Sequence, residues 1–186
     1  MGQSTAGVGC ALWRARRRTA PVVGWNGAAE ARLSQDNAGV AIRPPILVAI
    51  ALALGWGLDA LWPWGFGLTT EWRIGFGVVV LAVGLGFAVP AIRLFRRAGT
   101  NVPTNRPSTA LVIEGPYRLT RNPIYVGLCL LQLAIALFAD IAWIAALLAA
   151  TWAVLNWGVV AREERYLAAK FGRPYLDFVA RTRRWF

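Results

Sequence analysis

Residues 115–127 read GPYRLTRNPIYVG, and this stretch decides how the rest of the chain can fold. Its first half holds a Gly-Pro turn signal and arginine side chains. Its second half begins an apolar segment at Asn122 and Pro123, because Asn is a favoured N-cap and Pro is favoured at the first helical position. The stretch therefore predicts a polar turn that leads into a long apolar helix.

Four apolar segments lie on the two sides of this turn. A helix needs about 20 apolar residues to cross the hydrocarbon core of a bilayer. The segments come close to that length and run from about 46 to 62, 74 to 95, 123 to 139 and 141 to 161. The last two meet at Asp140, which predicts a tight hairpin. We therefore expect an all-α integral membrane protein with four transmembrane helices, the last two a helical hairpin.

Composition agrees with this class of protein. The chain has 186 residues, of which 57% are hydrophobic, and its mean hydropathy is +0.48. These values are high for a soluble domain with one core. The net charge of +11 fits anionic lipid headgroups, because the basic residues flank apolar segments and form no continuous stripe. We expect membrane lipids as partners and no nucleic acid.

The basic residues also predict which ends of the helices share a side of the membrane. Of the 20 Lys and Arg residues, only Arg73 falls between the first and second segments, and none falls between the third and fourth. The positive-inside rule then places both termini and the long junction between the second and third segments in the cytoplasm. We expect an integral protein of a bacterial inner membrane.

The two ends of the chain differ in character. Residues 1–43 are polar, basic and rich in Gly and Ala, which predicts a disordered or surface-lying tail before a single domain at 44–186. Residues 162–186 are charged but keep apolar residues at helical spacing, with breaks at Gly172 and Pro174. They predict an amphipathic C-terminal helix on the cytoplasmic face.

The chain contains no histidine, and its two cysteines are Cys10 in the tail and Cys129 inside an apolar segment. The lack of histidine removes the usual general base and the commonest metal ligand. The placement of the cysteines argues against a disulfide framework. We therefore expect no metal site, and any chemistry must use Arg, Glu, Asp, Tyr, Asn and a bound cofactor.

Glu163 and Glu164 come just after the fourth apolar segment, which ends at 161, and the hairpin would return them to the side of Arg121. Acidic residues at a membrane boundary are costly unless a cationic group needs them. The ordinary alternative is a solvated helix face with pairs at i, i+3. Arg118 and Arg121 likewise have an ordinary alternative role, as interface anchors that supply positive charge.

Polar residues at a spacing of seven extend from this boundary into the membrane. Tyr125 and Gln132 have that spacing on the third segment, and Asn156 and Glu163 have it on the fourth. Seven residues are about two helical turns, so each helix would carry a polar stripe. Such side chains face a partner or a cavity more often than lipid. Gln132 and Asn156 bonded to each other would be an equally good explanation of both.

Five short motifs occur in the second half of the chain in a fixed order. They are Gly-Pro-Tyr-Arg at 115–118, Arg-x-Pro-x-Tyr-x-Gly at 121–127, Glu-Glu at 163–164, Phe-Gly-x-x-Tyr at 171–175 and Arg-Trp at 184–185. Through them, the chain from about Gly99 onward resembles the isoprenylcysteine carboxyl methyltransferase and phospholipid methyltransferase superfamily of integral membrane enzymes. It departs from the family at Asn122, where His is usual, and at Phe178, where Tyr is common.

The resemblance implies a methyltransferase that uses S-adenosylmethionine bound at the cytoplasmic ends of the last two helices. The acceptor would be a lipophilic or small membrane-partitioning molecule, with an isoprenylcysteine carboxylate as the leading case. Glu164 and Arg121 are the implied catalytic residues, and Arg118 and Arg162 would steer an anionic acceptor. The implied cofactor-binding residues are Arg121, Asn122, Pro123, Tyr125, Gly127, Glu163 and Glu164.

Two other functions stay open at this point. One is a membrane reductase with a nicotinamide cofactor and a similar C-terminal architecture, although an acidic pair suits a cationic ligand better than a pyrophosphate. The other is a non-catalytic membrane protein whose basic junctions bind anionic lipid. In that protein, Glu164→Gln would change nothing beyond stability.

Overall fold

The computed structural model describes residues 43–99 and 110–185, and the regular structure in those two ranges is helical, without a β-strand. The predicted all-α class is therefore confirmed, while the predicted tail lies outside the described residues except for Arg43. In chain order the elements are α1 (Pro44–Leu61), α2 (Thr70–Arg97), a 3-10 helix (Gly115–Arg118), α3 (Pro123–Ala139), α4 (Ala142–Ala153), a π-helical segment (Val154–Val160), α5 (Ala161–Phe171) and α6 (Arg173–Arg181).

Within residues 43–99 and 110–185, three helices are long and apolar enough to cross a membrane. These are α1, α2 and the continuous rod of α4, the π-helical segment and α5, which runs over Ala142–Phe171. The fourth predicted span, α3, begins and ends where the sequence places it, but with 17 residues it is shorter than the others.

The rod at the end of the bundle extends beyond its predicted end. The hydropathy pattern ends the fourth segment at 161, whereas the helix continues to Phe171. It continues because residues 162–171 are mostly good helix formers and none of them is Gly or Pro. The break comes at Gly172, whose φ of 58° lies in the region that favours glycine. Glu163 and Glu164 consequently lie on the rod itself and not on a separate surface helix.

The predicted hairpin is confirmed at the end of α3. Asp140 has a left-handed φ of 60°, and the backbone N–H of Ile141 donates to the carbonyl of Ala136 at 3.0 Å. These features end α3 and turn the chain into α4 within two residues. We call this end of the bundle the hairpin end, and the opposite end, where α3 begins, the site end.

α3 packs closely against α2 along its length. A Cβ atom built on Gly127 would lie 2.6 Å from the Cβ of Ala88 and 2.8 Å from the carbonyl oxygen of Gly84. No side chain fits at that crossing, so glycine is required by close approach. α1 packs mainly against α4, where Gly55 faces Ile144. The hairpin is thus supported by both of the preceding helices.

Candidate functional site

The first feature of the site end is a direct bond between the two helices of the hairpin. Tyr125 lies in the first turn of α3 and is buried, and Glu163 lies in the first turn of α5. The Tyr125 hydroxyl donates to Oε1 of Glu163 at 2.7 Å. In the described residues Glu163 has no ion-pair partner within 4 Å, and the Tyr125 hydroxyl is the group that binds its carboxylate. The sequence prediction that α3 and the rod meet here is borne out by this contact.

Glu164 has a different environment from its neighbour. Nη2 of Arg121 lies 3.1 Å from its Oε1, and Arg184 bonds both of its oxygens, with Nε at 3.2 Å from Oε1 and Nη2 on Oε2. A carboxylate offers about four acceptor positions. Most of those on Glu164 are therefore used by two guanidinium groups, and its negative charge is offset within the protein.

The C-terminal residues cross the site end. We call Thr182–Trp185 the C-terminal strap; it follows α6 in a non-helical conformation. Its backbone carbonyls accept three hydrogen bonds from the turn before α3. The bonds are Arg121 N to Arg183 O at 3.0 Å, Thr120 Oγ1 to Arg184 O at 3.0 Å and Asn122 Nδ2 to Arg184 O at 2.9 Å.

Asn156 binds the same strap from the other side. Its Oδ1 accepts from Nη1 of Arg184 at 3.3 Å and from the indole N–H of Trp185 at 3.0 Å. Asn156 lies in the π-helical segment, in which each hydrogen bond reaches one residue further than in an α-helix. That extra residue shifts the register of the helix. Asn156 shares Arg184 with Glu164, eight positions on, whereas the spacing of seven paired it with Glu163.

The alternative in which Gln132 and Asn156 bond to each other is not found, since each side chain has other partners. Gln132 is fully buried and its Nε2 donates to the carbonyl of Ile144 at 3.0 Å. This contact joins α3 to α4 instead of reaching the π-helical segment. The two polar residues predicted to form a stripe on α3 therefore have separate roles. Tyr125 binds Glu163 at the site end, and Gln132 binds the backbone of α4 deeper in the hairpin.

The remaining residues predicted for the site lie in several places. Pro123 is buried at the first position of α3, and Asn122 holds the strap through its side-chain amide. Gly127 faces α2 at the close crossing, so its position is explained by packing. Arg118 and Arg162 are exposed, on the 3-10 helix and on α5. The roles in cofactor and acceptor binding assigned to these residues stay predictions.

An aromatic cluster lies beside the charged groups. Tyr117 and Tyr175 are buried together with Phe178 and Ala91. Burial, and next the negative charge of Glu164, raise the pKa of Tyr175 to about 12. Burial and the charge of Glu163 raise the pKa of Tyr117 well above its usual value. Both phenols therefore stay neutral at physiological pH and contribute packing without charge beside the carboxylates.

Sequence reasoning missed the residues that fasten the strap. Thr120 is fully buried, and no motif points to its role. Arg184 and Trp185 form the last of the five motifs, so a signal was present, but spacing alone does not show which carboxylate the arginine meets. In the described residues, no group of three His, Cys, Asp or Glu side chains could hold a metal ion.

The fold and this end of the bundle define a helical integral membrane protein in which paired carboxylates and arginines meet at the start of a hairpin. Residues 72–174 match the family model described as phospholipid methyltransferase, and this is more than half of the chain. The chain belongs to that family, which is part of the integral membrane methyltransferase superfamily.

The family points to a methyltransferase, and together with the apolar helices it indicates an integral membrane protein with lipid or membrane-partitioning substrates. The predicted superfamily is thus confirmed. No curated protein and no solved structure matches the chain significantly.

Proposed function

We propose that the protein is an S-adenosylmethionine-dependent membrane methyltransferase that acts on a lipophilic or small membrane-partitioning acceptor. The observation that supports it most is the contrast between the two adjacent carboxylates at the site end. Glu164 is held by two guanidinium groups, whereas Glu163 is bonded to a tyrosine hydroxyl. A carboxylate without an internal cation suits a ligand that brings its own positive charge.

The donor set of the site end fits such a cofactor. S-adenosylmethionine presents a sulfonium and an ammonium, which need a carboxylate, and a carboxylate group, which needs a donor. Glu163 supplies the first requirement. Arg121 can supply the second, because its Nε is buried and has no hydrogen-bond partner among the described residues. An unsatisfied buried guanidinium donor is costly to leave unpaired.

The residues of the chain divide the work of the reaction. When bound, S-adenosylmethionine supplies the electrophilic methyl group. Glu163 would orient the cationic part, Tyr125 would hold Glu163 through its hydroxyl, and the Arg121–Glu164 pair would keep the turn before α3 in place. Methyl transfer depends mainly on positioning and on exclusion of water, so a rigid constellation of this kind suits it. Glu164 then holds Arg121 in position, and Glu163 has the catalytic role that the resemblance implied for Glu164.

Two acceptor classes follow from the chemistry of the site. An isoprenylcysteine carboxylate needs no base but needs a cation, for which the resemblance gives the exposed Arg118 and Arg162. Arg121 and Arg184 already form ion pairs with Glu164. An amine acceptor needs a group that takes its proton, and Glu163 is the carboxylate placed to do so. The engagement of both site arginines favours the amine.

The proposed membrane arrangement has four spans with both termini in the cytoplasm of a bacterial cell. α3 is about 25 Å long at 1.5 Å per residue, which approaches the thickness of the hydrocarbon core. The single domain would cover 44–186, and α6 would lie at the membrane surface. The distribution of Arg and Lys supports this arrangement.

Transfer of labelled methyl from S-adenosylmethionine to a lipid and metabolite extract tests the function and the acceptor together. Purified protein in a mild detergent should bind S-adenosylmethionine by calorimetry and label an extractable product. Mild alkali releases the label as methanol from a methyl ester but leaves it on a methylated amine, so this treatment separates the two acceptor classes. A protein that binds NADPH and not S-adenosylmethionine would be a reductase, and one that binds neither would contradict catalysis.

A further inference from the structure

The C-terminal strap lies beyond the residues that match the family model, which end at 174, and yet it makes most of the polar contacts of the site end. Three hydrogen bonds fix its backbone to the turn before α3, and one of the donors is the fully buried Thr120. The strap is therefore a built part of the site and not a loose end of the chain.

The side chains of the strap connect this turn to the rod. Arg184 bonds Glu164 on α5 and Asn156 in the π-helical segment. Trp185 bonds the same Asn156 and packs its ring against Trp152, with centroids 5.9 Å apart. The strap thus joins α3 and the rod across the end where Tyr125 and Glu163 also meet.

The charge of Arg184 has a further consequence. Among the described residues at this end, the guanidinium groups of Arg121 and Arg184 both form ion pairs with Glu164, and neither forms one with Glu163. The Arg184 and Glu164 side chains are 35% and 19% exposed, so solvent screens their interaction only in part. Removal of Arg184 would leave Glu164 with one cation in place of two and would make the site more negative.

We propose that Arg184 is a positioning residue of this site: through it the strap holds Glu164 and offsets its charge, so that Glu163 is the carboxylate left for a cationic ligand. The inference rests on the proposed function for the nature of that ligand. It predicts that Arg184 sets how strongly the site prefers a sulfonium to a neutral thioether.

The test compares S-adenosylmethionine with S-adenosylhomocysteine, which lacks the methyl group and the sulfonium charge. Their dissociation constants are measured by calorimetry in detergent, and the ratio reports attraction for the positive charge alone. Arg184→Gln should increase the preference for S-adenosylmethionine by about three- to tenfold, because one positive charge near the ligand is removed. A purely structural role would weaken the binding of both ligands together and leave the ratio unchanged.

Two matched variants control for charge and for shape. Arg183→Gln removes the same charge from the exposed neighbouring side chain, and the ratio should stay within about twofold because solvent screens it. Arg184→Lys keeps the charge but lacks the planar fork. It should keep the ratio and lose part of the stability.

Hydrogen exchange gives a second reading that does not depend on the cofactor. The Arg121 amide donates to the strap, so it should exchange faster in Arg184→Gln than in Arg183→Gln. A ratio that is unchanged or reduced in Arg184→Gln overturns the inference and leaves the proposed function intact. A wild-type protein that binds neither ligand contradicts the proposed function. If the Arg121 amide is also equally protected in the two variants, the role of Arg184 in holding the strap is contradicted as well.

Discussion

The two ends of the hairpin contain the same kinds of side chain and use them differently. At the hairpin end, Asp140 accepts from the backbone N–H of Phe66 at 2.9 Å and lies 3.6 Å from Arg73, which also donates to the carbonyl of Leu137 at 3.2 Å. At the site end, Glu163 accepts from the Tyr125 hydroxyl and forms no ion pair with an arginine of the described residues. Carboxylates and arginines stabilise the turn at one end, and in the proposed function one carboxylate is left for a ligand at the other.

Aromatic side chains show the same division. At the hairpin end Trp143 donates its indole N–H to the carbonyl of Trp62 at 2.8 Å, and Trp64 packs on Trp143 with centroids 4.9 Å apart. These contacts tie the loop between α1 and α2 to the start of α4. At the site end the corresponding contacts, those of Tyr125 and Trp185, are made to polar groups of the proposed site. Function should therefore be sensitive at one end and stability at the other.

The largest expected effect is on catalysis at the site end. Glu163→Gln should reduce methyl transfer by about 100-fold, because an amide neither attracts a cation nor accepts a proton from an acceptor. Its thermal stability should stay close to that of the wild type, since the amide oxygen still accepts from Tyr125. Glu71→Gln, an exposed change in the first turn of α2, is the matched control and should leave the rate unchanged. A normal rate in Glu163→Gln would remove the functional difference between the ends.

The second prediction decides between packing and cofactor binding for Gly127. Gly127→Ala should destabilise the protein by about 1–3 kcal/mol, because its Cβ would overlap α2. Gly86→Ala is the control, since a Cβ there meets no atom within 4 Å. Denaturation in detergent measures the stability and calorimetry measures the affinity of the folded protein. A loss of S-adenosylmethionine affinity without a loss of stability would restore the cofactor role implied by resemblance.

A third, smaller effect is expected at the hairpin end. Asp140→Ala should cost about 1–2 kcal/mol, since the Phe66 N–H loses its acceptor and alanine disfavours the left-handed conformation. Asp140→Asn should cost less, because Asn tolerates that conformation and keeps an acceptor oxygen. Both variants should transfer methyl groups at the wild-type rate per folded molecule. A rate that falls with either variant would show that the two ends are coupled.

Much of the fold could be predicted from the sequence because hydropathy and helix signals act locally. Asn122-Pro123 places the start of α3 correctly, and the apolar pattern places its end at Ala139. The end of the rod was predicted less accurately, because hydropathy shows where the apolar segment ends and not where the helix ends. For that reason residues 162–171 were predicted as a separate helix on the cytoplasmic face, and their continuity with the fourth span was not predicted.

The site could be predicted only in part, for reasons of geometry. The approach of Tyr125 to Glu163 follows from a hairpin of two regular helices. The partner of Asn156 does not, because the π-helical segment changes the register by one residue and no local sequence signal marks it. Spacing arguments also cannot predict how the strap is held, since its backbone carbonyls bind residues more than 60 positions away, such as Asn122 on Arg184.

The smallest expected effect is a difference between the two ends in how alkaline pH changes folding stability. All four tyrosines of the chain lie in the turn before α3, in α3, in α5 or in α6, so their ionisation acts on the site end. The pKa of Tyr175 is raised from 10.0 to about 12 in the folded protein, so between these pH values the unfolded chain loses this proton while the folded chain keeps it. Folding stability must therefore fall as pH rises through that window. In Tyr175→Phe the melting temperature should drop by a few degrees less between pH 8 and pH 11 than in the wild type. Part of the drop should remain, because the pKa of Tyr117 is raised as well. Asp140→Asn, at the end without tyrosines, is the control and should lower the melting temperature equally at pH 8 and at pH 11. If Tyr175→Phe loses as much melting temperature at pH 11 as the wild type does, the alkaline loss of stability arises from other groups.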